Sequence, residues 1–260
     1  MIKADALTKR YGGLTAIRGV SFEMAKSEVV GFLGPNGAGK TTTMRILTGY
    51  LPPSEGSAVV GGFDLARDPR EAKRVTGYLP ETPPLYPEMR VCDYVRYVAR
   101  LHDVPRAQVG GKVERALHAC GLEQVATRVI RTLSKGYRQR VGLAQAIVHE
   151  PSVLILDEPT SGLDPIQIAE IRELIRRLSA EEGRTVILST HILAEVEAIC
   201  QRVLLIAYGQ LRVDASLDAL REQGSLEQVF VREVQAAAAS DEGSAAAARA
   251  AASAVVEAES

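Results

Sequence analysis

Residues 34–41, Gly34-Pro35-Asn36-Gly37-Ala38-Gly39-Lys40-Thr41, decide the fold of this chain. Two glycines, a lysine and a hydroxyl residue at this spacing form the pattern of a P-loop, whose backbone wraps around phosphate groups. The apolar run 29–33 before the motif predicts a buried strand, and residues 42–47 after it predict a helix. The alternative is a glycine-rich turn that matches by chance, and the strand–loop–helix context argues against it.

This motif predicts a nucleotide site with Mg²⁺. The glycines let backbone N–H groups approach a phosphate, and the following helix adds partial positive charge at its N-terminus. Lys40 is expected to reach the β- and γ-phosphates of ATP, and Thr41 to hold Mg²⁺. The residues expected to bind nucleotide here are Gly34, Pro35, Asn36, Gly37, Ala38, Gly39, Lys40, Thr41 and Thr42.

Two adjacent acids follow a second predicted strand, Val153-Leu154-Ile155-Leu156. This strand delivers Asp157 and Glu158 to its carboxyl end, which is where open α/β sheets bind ligands. Asp157 is expected to hold Mg²⁺ through water, and Glu158 to act as general base toward the attacking water. Two solvated loop acids are the alternative, and the P-loop makes the functional interpretation the stronger one.

Three further segments indicate which kind of P-loop protein this chain is. They are Leu133-Ser134-Lys135-Gly136-Tyr137-Arg138-Gln139-Arg140, then Ser161-Gly162-Leu163-Asp164, then Ser189-Thr190-His191. With the P-loop and the acidic pair, the chain resembles the ATP-binding subunit of an ABC transporter over roughly residues 2–230. The resemblance extends to the ABC-2-type exporter and gliding-motility group.

The resemblance implies a role for each matching position. Two subunits would meet head to tail, so that Ser134 and Gly136 of the signature loop face the γ-phosphate held by the second subunit. Asp164 would belong to the D-loop at the same interface. His191 stands where the family has its catalytic switch histidine, and Tyr11 where an aromatic residue stacks on adenine. A structural histidine and a locally packed turn aromatic remain the alternatives for these last two positions.

Two positions depart from the family pattern. The signature carries Lys135 and Tyr137 where glycine and glutamine are commonest, but Ser134 and the second glycine are retained. In the segment 77–81, Glu81 stands where the family usually has glutamine. We expect Glu81 to substitute for that residue, as a ligand of Mg²⁺ in the nucleotide site.

The predicted fold class is α/β. The expected architecture is a P-loop NTPase (RecA-like) core with a mostly parallel sheet, an N-terminal antiparallel β subdomain and an inserted α-helical subdomain at about 85–150. Residues 1–234 are predicted to form this ATP-binding domain. The Ala-rich tail 235–260 is predicted to be disordered or loosely helical. Predicted boundaries include a helix at 138–148, a helix at 165–178 and strands at 185–189 and 202–207.

Composition agrees with a cytosolic motor. Net charge is −1 with both signs interspersed, so no basic patch indicates direct nucleic-acid binding. The N-terminus lacks the apolar stretch of a signal peptide, and the apolar runs are too short to span a bilayer. We therefore expect a cytoplasmic protein, held peripherally at the inner face of the membrane by a partner.

The expected partners are a second ATP-binding subunit, in a homodimer, and a separate transmembrane permease. Three prolines keep residues 82–89 out of regular helix, which leaves Leu85, Tyr86 and Met89 as apolar groups on a loop. The family resemblance implies that they receive a short helix of the permease; the alternative is that they seal a subdomain junction. The predicted activity is ATP hydrolysis that drives export. An importer motor, a soluble ABC ATPase acting on nucleic acid or the ribosome, and a small-molecule kinase are the alternatives.

Overall fold

The computed structural model describes residues 1–240. An antiparallel sheet begins the chain, with strands β1 (Ile2–Tyr11), β2 (Leu14–Met24), β4 (Glu55–Val60) and β5 (Phe63–Asp64). Their spatial order is β2-β1-β4-β5. This sheet is the predicted N-terminal β subdomain, and it covers one face of the central sheet.

The central sheet contains β3 (Val29–Leu33), β6 (Thr76–Leu79), β7 (Val153–Asp157), β8 (Thr185–Thr190), β9 (Arg202–Ala207) and β10 (Gln210–Ser216). Their order is β10-β9-β3-β8-β7-β6, and every neighbouring pair is parallel except β9 with β10. Because β3 and β7 flank β8, the segments that follow these three strands emerge at one edge of the sheet. The P-loop, the acidic pair and His191 are those segments.

Strict alternation along the central strands builds two cores. Val29 and Leu33 of β3 face the core shared with the helical insertion, and Val30 and Phe32 face the core shared with the antiparallel sheet. Successive side chains of a strand point to opposite faces, so a strand covered on both sides is apolar throughout. All five residues of β3 are buried for this reason.

The helical insertion is present as predicted. It contains α3 (Val91–Leu101), α4 (Arg106–Ala119) and α5 (Lys135–Ile147), which pack on one another through the first of the two cores. Helix α5 begins three residues before the predicted position, so that Gly136 lies in its first turn. The other helices are α1 (Lys40–Leu47), α2 (Pro69–Arg74), α6 (Pro165–Ala180), α7 (Leu193–Ile199), α8 (Leu217–Arg221) and residues 226–240, with 3₁₀ turns at Glu123–Val125 and Ile130–Thr132.

The last described helix crosses the predicted domain boundary. Residues 226–240 are continuously helical, and Ala237 is buried in the core. The first residues of the predicted tail therefore belong to the folded body. Residues 241–260, the rest of that tail, lie outside the described residues, and the division at 234 stays a prediction.

Candidate functional site

The P-loop lies tightly against β2. Gly37 and Gly39 have φ values of 79° and 107°, which L side chains rarely adopt. A Cβ on Gly39 would stand 2.6 Å from Ile17 Cγ2 and 2.8 Å from the Ala16 carbonyl oxygen. Glycine is therefore required at Gly39 by both conformation and space.

Helix α1 presents a bare N-terminus to the same space. Among the described residues no side chain caps it, and its first turn contains no acidic residue. Four backbone N–H groups at the start of a helix have no partner within the helix, and the helix dipole places partial positive charge there. An anion such as a phosphate would satisfy both the donors and the charge.

Lys40 is a desolvated cation at this helix start. Its side chain is almost fully buried, and Nζ donates to the carbonyl oxygens of Gly34 at 2.8 Å and Pro35 at 3.1 Å. Burial lowers the pKa of Lys40, and the carboxylates of Glu158, Asp157 and Glu81 oppose that shift. A cation removed from bulk water interacts more strongly with a phosphate than an exposed one would.

Glu158 lies between two basic groups. Its Oε1 is 3.7 Å from Lys40 Nζ, and both of its carboxylate oxygens are 3.0 Å from His191 Nδ1. Glu158 is 7% exposed and has a φ of +49°, a conformation that costs a non-glycine residue about 1–2 kcal/mol. The register with β8 maintains this conformation, because the Glu158 N–H donates to the Ser189 carbonyl oxygen at 3.0 Å.

The residues fit a divalent cation beside the P-loop. Asp157 is 1% exposed; its Oδ1 accepts a hydrogen bond from Ser189 Oγ and lies 3.4 Å from Thr41 Oγ1. Within residues 1–240, Oδ2 of Asp157 is buried without a hydrogen-bond partner. A buried carboxylate oxygen next to a hydroxyl is the kind of hard oxygen donor set that Mg²⁺ prefers. Thr41 and Asp157 are therefore the residues that would hold the ion.

A pocket of about 370 Å³ brings most of the predicted residues together. Lys40, Glu158 and His191 line it, and so does the exposed Glu81. Ala16 also lines it, although the sequence offered no signal for that residue. The remaining lining residues are Asn36, Gly37, Gly39, Thr41 and Thr42.

Eight predicted site residues do not line this pocket. Four of them, Gly34, Pro35, Ala38 and Asp157, belong to the P-loop and the acidic pair beside it, and the other four lie elsewhere. Tyr11 lies at the β1–β2 turn, half-exposed, with Lys9 Nζ 5.6 Å from its ring centroid. Ser134 and Asp164 are the N-caps of α5 and α6: Ser134 Oγ accepts from Tyr137 N at 3.4 Å, and Asp164 accepts from Ile166 N and Gln167 N at 3.0 Å. Gly136 packs against Gln167, near enough that a Cβ would stand 2.3 Å from Gln167 Oε1. The starts of α5 and α6 thus form a second, separate surface.

The three residues predicted to face a permease lie on the loop before the helical insertion, and they differ in exposure. Leu85 and Met89 are half-buried against the core, as the junction-sealing alternative expects. Tyr86 is 50% exposed, and its ring centroid lies 5.8 Å from that of Tyr94 and 5.6 Å from that of Tyr97. These rings line a cavity of about 340 Å³, which we call the aromatic groove; Tyr50, Tyr78, Tyr86, Tyr94, Tyr97, His102 and His149 belong to it.

Comparison with known proteins agrees with this geometry. The sequence profile described as ABC transporter matches residues 17–161. The chain is 35% identical over 217 residues to the uncharacterized ABC transporter ATP-binding protein YdbJ of Bacillus subtilis (strain 168), covering 84% of this chain and 70% of that protein. It is 34% identical over 211 residues to the linearmycin resistance ATP-binding protein LnrL of the same organism, covering 81% and 68%.

A solved structure extends the comparison to the fold. It is the dimeric structure of a post-hydrolysis state of the ATP-binding cassette MJ0796 bound to ADP and Pi. The TM-score is 0.76 at 25% sequence identity, covering 84% of this chain and 99% of that chain. The chain therefore belongs to the ABC transporter family, as an ATP-binding subunit with a P-loop NTPase fold. In the part of the chain from residue 1 to 240, no helix is both long enough and apolar enough to cross a bilayer.

Proposed function

We propose that this chain hydrolyses ATP and that hydrolysis drives an exporter whose permease is a separate protein. The observation that carries the proposal is the placement of Glu158. Its buried carboxylate lies 3.7 Å from Lys40 Nζ and 3.0 Å from His191 Nδ1, at the mouth of the P-loop pocket. A buried base between two groups that carry or accept protons suits proton transfer from a water molecule.

Each residue then has a separate task. Lys40 and the N-terminus of α1 bind the phosphates of ATP, and Mg²⁺, when bound by Thr41 and Asp157, neutralises phosphate charge. Glu158 accepts the proton of the attacking water. His191 orients the Glu158 carboxylate through its Nδ1 contact. Glu81 places a further carboxylate at the edge of the pocket, where it is the proposed counterpart of the family's glutamine.

The dimer is the second part of the proposal. Ser134 and Asp164 are exposed, and both lie at helix starts outside the chain's own pocket. A head-to-tail partner would place the N-terminus of its α5 against the γ-phosphate, where Ser134 Oγ and the helix dipole favour an anion. The solved relative named above is a dimer with ADP and Pi bound, and we infer a dimer of identical chains here.

Ser134→Arg tests the dimer. The added bulk should prevent ATP-driven dimerisation and lower turnover, because the second surface can no longer close on the nucleotide. ATP binding to the chain's own P-loop should be retained, as measured by titration with a fluorescent ATP analogue. Ser57→Arg, at an exposed serine of β4, is the matched control. Unchanged dimer formation and turnover in Ser134→Arg would exclude the proposed interface.

The membrane partner is the third part. The aromatic groove offers an apolar surface with hydroxyl groups, and aromatic side chains are enriched in protein interfaces. A relative carries linearmycin resistance in its name, and expulsion of a compound is one way in which a transporter confers resistance. We therefore place the chain at the inner face of the membrane, held there by a permease segment in the aromatic groove.

Tyr86→Asp tests this contact. A charge at the half-exposed ring should release the chain from the membrane fraction while the ATPase activity of the purified chain is retained. Tyr208→Asp is the control, because Tyr208 is 48% exposed and lies outside the groove. Membrane recovery is measured by fractionation and co-purification. Equal recovery of both variants would contradict a permease contact at Tyr86.

A further inference from the structure

Behind the pocket lies a buried carboxylate without a cationic partner. Glu195, in the first turn of α7, is 1% exposed, and no ion pair of the described residues includes it. Burial of a carboxylate is costly unless hydrogen bonds replace its hydration. Glu195 obtains them from two threonines: Thr160 Oγ1 donates to Oε1, and Thr190 Oγ1 donates to Oε2 at 2.7 Å.

These two threonines lie at the carboxyl ends of neighbouring strands: Thr160 is in the turn that follows β7, and Thr190 is the last residue of β8. Thr160 is two residues after Glu158, and Thr190 directly precedes His191. The ladder between β7 and β8 has its last pair at Asp157 and Ser189. One backbone hydrogen bond, from the Glu158 N–H to the Ser189 carbonyl oxygen at 3.0 Å, continues the ladder past that pair. After Glu158, strand pairing no longer determines the distance between the segment that contains Thr160 and the end of β8. Glu195 joins them at this point.

The segment after Glu158 also has an anchor on its other side. Gln139 of α5 is 3% exposed, and its Nε2 donates to the Pro159 carbonyl oxygen at 3.2 Å. Pro159 and Thr160 are therefore held between α5 and α7. Ser134, the residue proposed above to face the partner's nucleotide, is the N-cap of α5.

We propose that Glu195 is a positioning residue for hydrolysis: it holds Thr160 and Thr190 together and thereby keeps Glu158 within reach of His191. The inference rests on the proposed function, in which Glu158 is the base. Gln139 connects the segment 158–160 to α5 through its hydrogen bond to Pro159. A displacement of α5 therefore moves the segment that carries Glu158. The carboxylate suits this task because its two oxygens can accept from two segments at once.

The test compares kcat with the affinity for ATP. Glu195→Leu removes both acceptors at similar size, and we expect kcat to fall about 10- to 100-fold, since small misplacements of a reacting group have effects of that order. The KM for ATP should stay unchanged, because the P-loop contacts are untouched. Glu195→Gln should restore turnover close to wild type, because its amide oxygen accepts from one threonine and its NH₂ donates to the other. Wild-type turnover in Glu195→Leu would overturn the proposal.

A double-mutant cycle provides a second test and serves if Glu195→Leu fails to fold. Thr160→Val and Thr190→Val each free one carboxylate oxygen, and either change alone breaks the connection. Their combination should therefore lower kcat little further than either single change; multiplied effects would contradict a shared connection. Thr76→Val is the control, because its buried hydroxyl donates to the Ala72 carbonyl oxygen at 2.7 Å, at the opposite edge of the sheet.

These results are separable from the proposed function itself. If Glu158→Gln hydrolyses ATP at the wild-type rate, the base assignment is wrong and the proposed hydrolysis mechanism is lost. If Glu158→Gln is inactive while the Glu195 and threonine variants turn over normally, only the positioning role of Glu195 is lost.

Discussion

The P-loop pocket and the aromatic groove both contain ionisable groups that are shielded from water. Those of the pocket form an ion pair, whereas the histidines of the groove are held in the neutral form. In the pocket, Lys40 lies against the carboxylate of Glu158, so that each stabilises the charge of the other. In the groove, His102 and His149 stack with ring centroids 3.7 Å apart. Burial lowers the pKa of both histidines, and that of His149 falls to about 3.

The difference reflects what each region can bind. A buried cation beside a bare helix N-terminus attracts an anion, and a buried carboxylate beside a histidine can take a proton. In the groove, tyrosine and histidine rings lie beside Lys73 and offer apolar contact and hydroxyl groups instead. Burial raises the pKa of both Tyr78 and Tyr94 to about 12. The chain thus separates a pocket of charged groups from the aromatic groove, the surface that we propose for the permease.

The largest expected effect comes from removal of the base. Glu158→Gln keeps the size of the side chain but cannot accept the proton of water, so kcat should fall about 10²- to 10⁴-fold. ATP should still bind and should trap a dimer, detected by size-exclusion chromatography in the presence of ATP. Glu88→Gln, at an exposed glutamate, is the control. Phosphate release at the wild-type rate would remove Glu158 from the role of base.

A smaller effect is expected when the buried cation is removed. Lys40→Ala should weaken ATP binding about 10- to 100-fold, which corresponds to the loss of one charge-assisted hydrogen bond. Isothermal titration with ATP measures the affinity. Lys73→Ala, a lysine that lines the groove, is the control and should bind ATP as the wild type does. Equal ATP affinity in both variants would mean that the pocket and the groove do not differ in the way described.

The smallest expected effect is on stability in mild acid. The folded pKa of His149 is about 3, below its ordinary value of 6.5, because burial is the main cause and His102, Arg184 and Lys112 add to it. As the pH falls below 6.5, the unfolded chain binds a proton that the folded chain does not, so this group's contribution to stability is lost progressively between pH 6.5 and 3. Above pH 6.5 the contribution is fully present.

His149→Gln should reduce that dependence. Glutamine retains a donor for the Thr76 carbonyl oxygen, which His149 Nε2 contacts at 3.1 Å, and it does not titrate. The drop in Tm from pH 7 to pH 5 should be smaller in this variant than in the wild type, as measured by thermal melts followed by circular dichroism. His118→Gln is the control, since the His118 side chain is 78% exposed. An identical drop in His149→Gln and the wild type would mean that folding does not lower the pKa of His149.

Much of the fold was predictable because patterns among neighbouring residues indicate which segments form strands and which form helices. The run Val29–Leu33 predicted a buried strand, and the pattern over about 85–150 predicted an inserted helical subdomain; both are confirmed. Boundaries were less accurate. Helix α5 starts at Lys135 because Ser134 caps it, and a cap depends on backbone conformation that periodicity does not reveal.

The site divides in the same way. Lys40, Thr41, Asp157 and Glu158 could be chosen from sequence because each stands at a fixed offset from a strand or a glycine. Ser189, which donates to Asp157, and Glu195, which joins Thr160 to Thr190, could not be found in that way. Ser189 is 32 residues from Asp157, and Glu195 is 35 residues from Thr160. Only the order of strands in the sheet brings these distant residues together.

The sequence by itself determined the class of protein, the P-loop with its acidic pair, and the alternation that makes a sheet covered on both faces. These features depend on spacing between neighbouring residues, and spacing is a local property of the chain. Tertiary structure alone decided which side chains share a pocket, why Leu85 and Met89 are half-buried while Tyr86 is exposed, and which buried groups are charged. Those outcomes depend on desolvation and contact between distant segments, and they arise only when the sheets and the helical insertion pack together.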